Sequence, residues 1–216
     1  MKRLSCLLFP LVLMTLLVTS LGWGVDTSML KPPKGSKVAI IVFEDLECPQ
    51  CARAAPMLHD AAKKYNVVLV QHDFPLRQHP WSYQAAVNAR YFDSKSEKLG
   101  DEYRLYIFAN QNSITKQNLQ GITEKWAADH KVEFPFMVDP SGQFSGKVDA
   151  DRGMGQRIPL DHTPTIYIVT ESGHGTEVSE VKDLNDLYQM LDEAVKKAGP
   201  TTEAKKPATT HKATNR

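Results

Sequence analysis

Two cysteines, Cys48 and Cys51, stand in the run Cys48-Pro49-Gln50-Cys51, a spacing that lets two sulfurs close a disulfide or rest as a dithiol. The run follows a β-branched stretch and precedes an alanine-rich one, so the pair falls where a strand hands over to a helix. A sulfur at a helix N-terminus faces free backbone N–H groups and the positive end of the macrodipole. These lower its pKa from about 8.5 and make Cys48 a thiolate nucleophile near neutral pH. Pro49 suits the first helical turn because the N–H it lacks would have had no partner there, and Gln50 can hydrogen-bond but adds no charge. Cys51, one turn on, is the more buried, resolving sulfur, and the pair supports exchange through a mixed disulfide.

Other uses of the pair can be weighed on chemistry. Structural zinc needs four ligands, and the chain has no second Cys-x-x-Cys and no His-x3-5-His. Covalent haem attachment needs histidine at position 52, which is Ala52. An inert staple across so short a loop would stabilise weakly. A copper-binding module wants Met or His beside the sulfurs, and Met57 is the only close sequence neighbour of that kind. No metal or organic cofactor is expected.

The elements that must position the sulfurs can be read in order. Lys37 to Phe43 is a continuous β-branched run expected as a strand covered on both faces. Cys51 to Tyr65 reads as a helix ended at Asn66, and Val67 to Gln71 as a second strand closed by Asp73-Phe74-Pro75-Leu76. Strand, helix, strand implies a parallel pair joined by a crossover. Residues 80–156 read as a helical insert: Ser82 to Phe92, Asp101 to Ala109, Lys116 to His130 capped by Thr115, and a short helix over Val148 to Gln156 after the turn at Asp139-Pro140-Ser141-Gly142. Thr165 to Thr170 and Thr176 to Val181 form a hairpin, and a last helix runs from its cap at Asp183 to Gly199-Pro200. Pro164 opens the first hairpin strand, where a proline lacking a ladder donor belongs. Together with the upstream cysteine pair it becomes a candidate cis-proline, with the Thr163 backbone exposed beside Cys48 to pair with an extended substrate.

Composition bounds the setting. The 216 residues suit one globular domain with appendages, and the 26 basic residues nearly cancel the 25 acidic ones. Lys2, Arg3 and the basic tail supply the excess, so residues 25–199 are mildly acidic and carry no footprint for nucleic acid. Met1-Lys2-Arg3 followed by the apolar run Leu4 to Val18 reads as a signal peptide over residues 1–24 or, uncut, as an N-terminal membrane anchor. Either places the domain outside the cytosol. Cys6 lies within that apolar run. Residues 25–36 read as a linker, residues 37–199 as the domain, and residues 200–216, rich in Thr, Ala, Lys and Pro, as a disordered tail.

The chain resembles the thioredoxin superfamily, and more closely its exported DsbA-like branch with a helical insert. The residues that carry the resemblance are Asp45-Leu46-Glu47-Cys48-Pro49-Gln50-Cys51, Phe74-Pro75-Leu76 with His79-Pro80, Phe108-Ala109-Asn110-Gln111, and Thr163-Pro164-Thr165. Pro56, eight residues after Cys48, matches the proline that kinks the active-site helix in thioredoxins. The resemblance implies an α/β thioredoxin fold, a mixed central sheet flanked by helices, with the insert between the second strand and the cis-proline strand.

It also implies thiol:disulfide exchange with exported, cysteine-bearing polypeptides, most simply as an oxidase recharged by a membrane redox partner, acting as a monomer. A reductase or isomerase of the same fold is the alternative, and a non-catalytic copper-binding module is the rival from another class. Cys48 and Cys51 would be catalytic, Thr163 and Pro164 would bind substrate, and Pro49, Gln50, His162 and Glu44 would tune the couple. One departure stands out. Many relatives carry a buried acid six residues before the nucleophile, and that position is Val42 here. Glu44 and Glu47 are nearby candidates, and Glu44 falls on the same strand face as Val42, although a strand-end position equally suits a solvated charge.

Overall fold

In a computed structural model of the protein, residues 26–199 are described. The segments read as signal or anchor (1–24) and as tail (200–216) lie outside the described residues.

Four strands form one mixed sheet in the order β2-β1-β3-β4, with β1 (Val38–Glu44), β2 (Val68–Asp73), β3 (Thr165–Ser172) and β4 (Gly175–Glu180). β1 pairs in parallel with β2 and antiparallel with β3, and β3 pairs antiparallel with β4. The parallel pair is joined through α1 (Pro49–Tyr65), which Asn66 ends in the left-handed conformation at φ 52°. Every residue of β1 is buried, as its β-branched run requires of a central strand. Val38, Ile40 and Val42 pack with Leu58 and Ala61 of α1 and with Leu187 and Leu191 of α6 (Leu187–Ala198). Ala39, Ile41 and Phe43 face the other way, against Phe74, Ile158 and Tyr167. This second face also takes Leu30, which is only 1% exposed, so the segment read as a linker sends one side chain into the core. A single leucine carries no period, which is why the sequence reading passed over it.

The insert consists of α2 (Ser82–Asp93), α3 (Glu97–Asn110), α4 (Leu119–Asp129) and α5 (Gln143–Arg157). Its own core of Tyr91, Phe92, Tyr103, Ile107 and Trp126 is continuous with Leu46, Cys48, Cys51 and Ala55, so the insert packs directly behind the cysteine pair. Three helix starts differ from the sequence reading, each through a local hydrogen bond. α3 begins at Glu97 because the Ser96 hydroxyl accepts from the Leu99 N–H at 3.1 Å. α4 begins at Leu119 because Thr115 and Asn118 close a turn on each other, the Asn118 side-chain oxygen accepting from the Thr115 N–H at 2.7 Å. α5 begins at Gln143, ahead of Val148, because the Asp139 carboxylate accepts the N–H groups of Phe144 (3.1 Å) and Ser145 (2.7 Å). α5 reaches the sheet through Gly155, where a Cβ would lie 2.5 Å from the Phe74 ring.

Candidate active site

Cys48 is the N-cap of α1, with extended backbone (φ −78°, ψ 121°), and Pro49 is the first helical residue. Its side chain is 6% exposed, and in its thiol form it donates to the Thr163 carbonyl oxygen at 3.3 Å. The peptide bond between Thr163 and Pro164 is cis. The structure therefore brings Cys48, Cys51, Thr163 and Pro164 together across 115 residues of sequence.

The two free sulfurs occupy opposite electrostatic settings. A hydrogen bond from the Cys51 thiol, with the backbone N–H groups of Cys51 and Gln50, lowers the Cys48 pKa to about 5 against the opposing cost of burial. Cys51 is 1% exposed, and burial first, then the neighbouring Cys48 sulfur and Glu44, drives its thiol far above the usual range. The one contact favouring a Cys51 thiolate is the Asp45 N–H, 3.4 Å from the sulfur.

Glu44 is not a solvated strand-end charge. It is 3% exposed, because its strand ends beneath the insert rather than at the surface. Burial raises its pKa to about 7, opposed chiefly by Arg104, and Gln71 donates to its carboxylate at 3.1 Å. Its charge acts on Cys51 although position 42 is valine.

His162 goes elsewhere. Its imidazole is 60% exposed and lies 2.6 Å from the Asp161 carboxylate, and it is the neighbouring Thr163 carbonyl that meets the Cys48 sulfur. Gln50 and Pro49 sit exposed at the helix start. Met57 packs with the α1–α6 core, away from the sulfurs.

Other residues hold the site, and the sequence offered them only as carriers of the family resemblance, with no structural role assigned. Asp45, whose side chain is fully buried, accepts from the N–H groups of Glu47 and Leu76 and lies against His79 Nδ1, each at 2.7 Å. Glu47 accepts from the N–H groups of Trp81 (2.9 Å) and Ser82 (3.1 Å) and so caps α2. Gln111 donates to the carbonyls of Leu46 (2.8 Å) and Cys48 (3.0 Å). The loop before Cys48 is thus fastened to the insert from two sides. The available signal was the pair of acids in Asp45-Leu46-Glu47, which a surface reading absorbs too easily.

With this geometry in hand, comparison with known proteins settles the family. Residues 27–193 match the family model described as Thioredoxin. The chain belongs to the thioredoxin superfamily. Its fold is of DsbA type. The crystal structure of Wolbachia pipientis alpha-DsbA1 superposes with a TM-score of 0.61 at 16% identity, covering 78% of this chain and 90% of that one. A second Wolbachia pipientis protein, the thiol-disulfide exchange protein alpha-DsbA2, gives 0.59 at 14% identity over 76% of this chain and 84% of its own. The oxidoreductase NmDsbA1 from N. meningitidis gives 0.56 at 20% identity over 78% and 87%. Two curated relatives are Na(+)/H(+) antiporters, NhaA 3 of Salinispora tropica and NhaA 1 of Salinispora arenicola. Each is 23% identical, over 69% and 70% of this chain respectively. The chain spans 23% of the length of each, so the resemblance is to one portion of those proteins. Among the described residues no helix is long and apolar enough to cross a membrane.

Proposed function

We propose that this protein is an exported thiol:disulfide oxidoreductase that donates disulfides to cysteine-bearing polypeptides. The observation that carries the reading is the asymmetry of the pair: a Cys48 sulfur held as thiolate down to about pH 5 beside a Cys51 thiol held protonated. A stabilised thiolate belongs to the reduced state only, so it favours reduction of the enzyme and makes the disulfide form oxidising.

In the reaction a substrate thiolate attacks Cys48 of the Cys48–Cys51 disulfide. The sulfur–sulfur bond breaks toward Cys51, which leaves as thiolate and takes a proton from Glu44. The second substrate thiol, deprotonated, attacks the substrate sulfur of the mixed disulfide and expels Cys48 as thiolate. Two electrons have passed from substrate to enzyme, and an external disulfide or quinone-linked membrane partner must remove them. The Thr163 backbone beside the cis-proline would align the substrate as an extended segment, and Gln50 and Pro49 set the spacing of the pair. Residues 1–24 would direct or tether the domain outside the cytosol, and the domain would act as a monomer.

The test is the reduction potential of the Cys48/Cys51 couple in glutathione or dithiothreitol buffers, with free thiol quantified. A potential well above about −270 mV, the thioredoxin value, supports the donor reading. A value near thioredoxin's turns the assignment to a reductase. A pair that stays oxidised in strong dithiothreitol makes it an inert staple.

A further inference from the structure

Among the buried charges clustered about the end of β1, the helical insert contributes an arginine. Arg104, on α3, is 2% exposed. Its two terminal nitrogens form an end-on fork with Asp93 of α2, at 2.7 and 2.8 Å. Gly100, one turn earlier on α3, makes room for this fork: a Cβ there would lie 1.7 Å from the Asp93 oxygen. The fork occupies Asp93 but leaves the guanidinium Nε–H buried and without a partner among the described residues. A buried cation with an open donor is costly unless a further acceptor or a water completes it.

The groups acting on Glu44 can be named by element. β2 contributes Gln71 and Asp73, which is the register partner of Glu44 across the parallel pair. α2 contributes Arg90, which pairs with Asp73 and, through its other nitrogens, with Asp151 of α5 and Asp93. α3 contributes Arg104, whose attraction is the largest influence opposing the burial of Glu44. α1 contributes the Cys51 thiol. His72, on the far side of Asp151, joins the same network at 2.7 Å.

We infer that Arg104 is a positioning residue for disulfide exchange: it is the buried counter-charge, delivered by the helical insert, that keeps Glu44 able to ionise behind Cys51. Without it Glu44 would stay protonated at neutral pH and could no longer accept the Cys51 proton when that sulfur attacks a mixed disulfide. This role rests on the reading of Cys48 and Cys51 as an exchange pair, but the charge coupling itself can be measured apart from activity.

The experiment follows the carbonyl stretch of protonated Glu44 by infrared difference spectroscopy across pH in the full-length reduced protein, with the band identified by its loss in Glu44→Gln. Expected in the wild type is a midpoint near 7. In Arg104→Met/Asp93→Asn, which removes the fork together, the midpoint should rise by at least a unit, which cuts ionised Glu44 at pH 7 by about fivefold or more. In Arg104→Lys, which keeps the charge and gives up the fork, the midpoint should stay while thermal stability falls. In parallel, resolution of a glutathione mixed disulfide at Cys48 should slow about fivefold at pH 7 in the double variant but not further when Glu44→Gln is added. An unmoved midpoint in the double variant overturns the inference, as does a shift in Arg104→Lys as large as that expected of the double variant. If the double variant does not fold, Arg104→Gln, which removes the charge but keeps a polar side chain, takes its place under the same two outcomes. A Glu44 band that shifts as expected in a protein without exchange activity would sink the functional reading and leave the Arg104–Glu44 coupling standing.

Discussion

Cys48 and Cys51 are one helical turn apart, yet the chain treats them as opposites. Cys48 caps a helix beside a backbone carbonyl at the mouth of the site, and its pKa falls to about 5. Cys51 faces the insert core and a carboxylate, and its pKa rises. Sequence spacing makes the pair possible. The difference between its members comes from which part of α1 each sulfur takes: the N-terminus, where free N–H groups face the sulfur, or the inner face, where burial outweighs the one N–H that Asp45 supplies. A disulfide exchanger needs that difference, since one sulfur must attack and leave readily while the other must stay out of reach of substrate.

The sharpest way to break the comparison is to remove each sulfur in turn. Cys48→Ser should abolish turnover in insulin reduction and in refolding of reduced ribonuclease. Cys51→Ser should instead trap mixed disulfides, visible on non-reducing gels. If Cys48→Ser retained activity, the assignment of roles would be wrong.

Next in size is the brace behind Cys51. Asp45→Ala removes a buried carboxylate that accepts from two backbone N–H groups and faces His79, and should cost about 3 kcal/mol in urea denaturation. A cost near zero would mean the loop holds itself.

The titrations on the two sides carry opposite signs. Glu44 is raised from 4.5 to about 7 in the folded protein, so the stability it contributes is complete below pH 4.5 and is lost as pH rises through 7. Cys48 in the reduced protein is lowered from 9.0 to about 5, so its contribution is complete above pH 9 and is lost as pH falls through 5. Glu44→Gln should therefore flatten the fall in stability between those first two limits, on the order of 3 kcal/mol. The thiolate absorbance at about 240 nm should show a single midpoint near 5, absent in Cys48→Ser. Identical pH–stability curves for wild type and Glu44→Gln would remove Glu44 from the site.

Smaller effects test the periphery. Gly100→Ala forces the Asp93–Arg104 fork apart and should cost about 2 kcal/mol in thermal melts. His162→Ala removes only an exposed pair with Asp161 and should change stability by no more than about 0.5 kcal/mol, leaving the Cys48 midpoint in place. A shifted midpoint would restore His162 to the Cys48 side.

Several things were settled by the sequence alone. The β-branched run at Lys37 to Phe43, the cysteine pair after it and the proline at the mouth of a later strand are local patterns. Their physics, a covered strand, a capped helix and a missing ladder donor, acts over a few residues, so the mixed sheet and the place of the cysteine pair at the start of a helix were legible from them. The insert was legible as helix, with starts displaced by three to five residues where Ser96, Thr115 with Asn118, and Asp139 make their own hydrogen bonds. What only the tertiary structure decided is where charge is buried. Glu44, Asp45, Arg90 and Arg104 look in sequence like surface residues, because a charged side chain alone almost always is one. They pass out of solvent only as a set, once β1, β2, α2 and α3 converge and the charges find partners well away in sequence, from 11 residues for Arg104 with Asp93 through 34 for His79 with Asp45 to 61 for Arg90 with Asp151. Burial of a charge depends on partners that no window of neighbouring residues contains, and the same holds for His162, whose nearness to Thr163 in the chain did not carry its ring to Cys48.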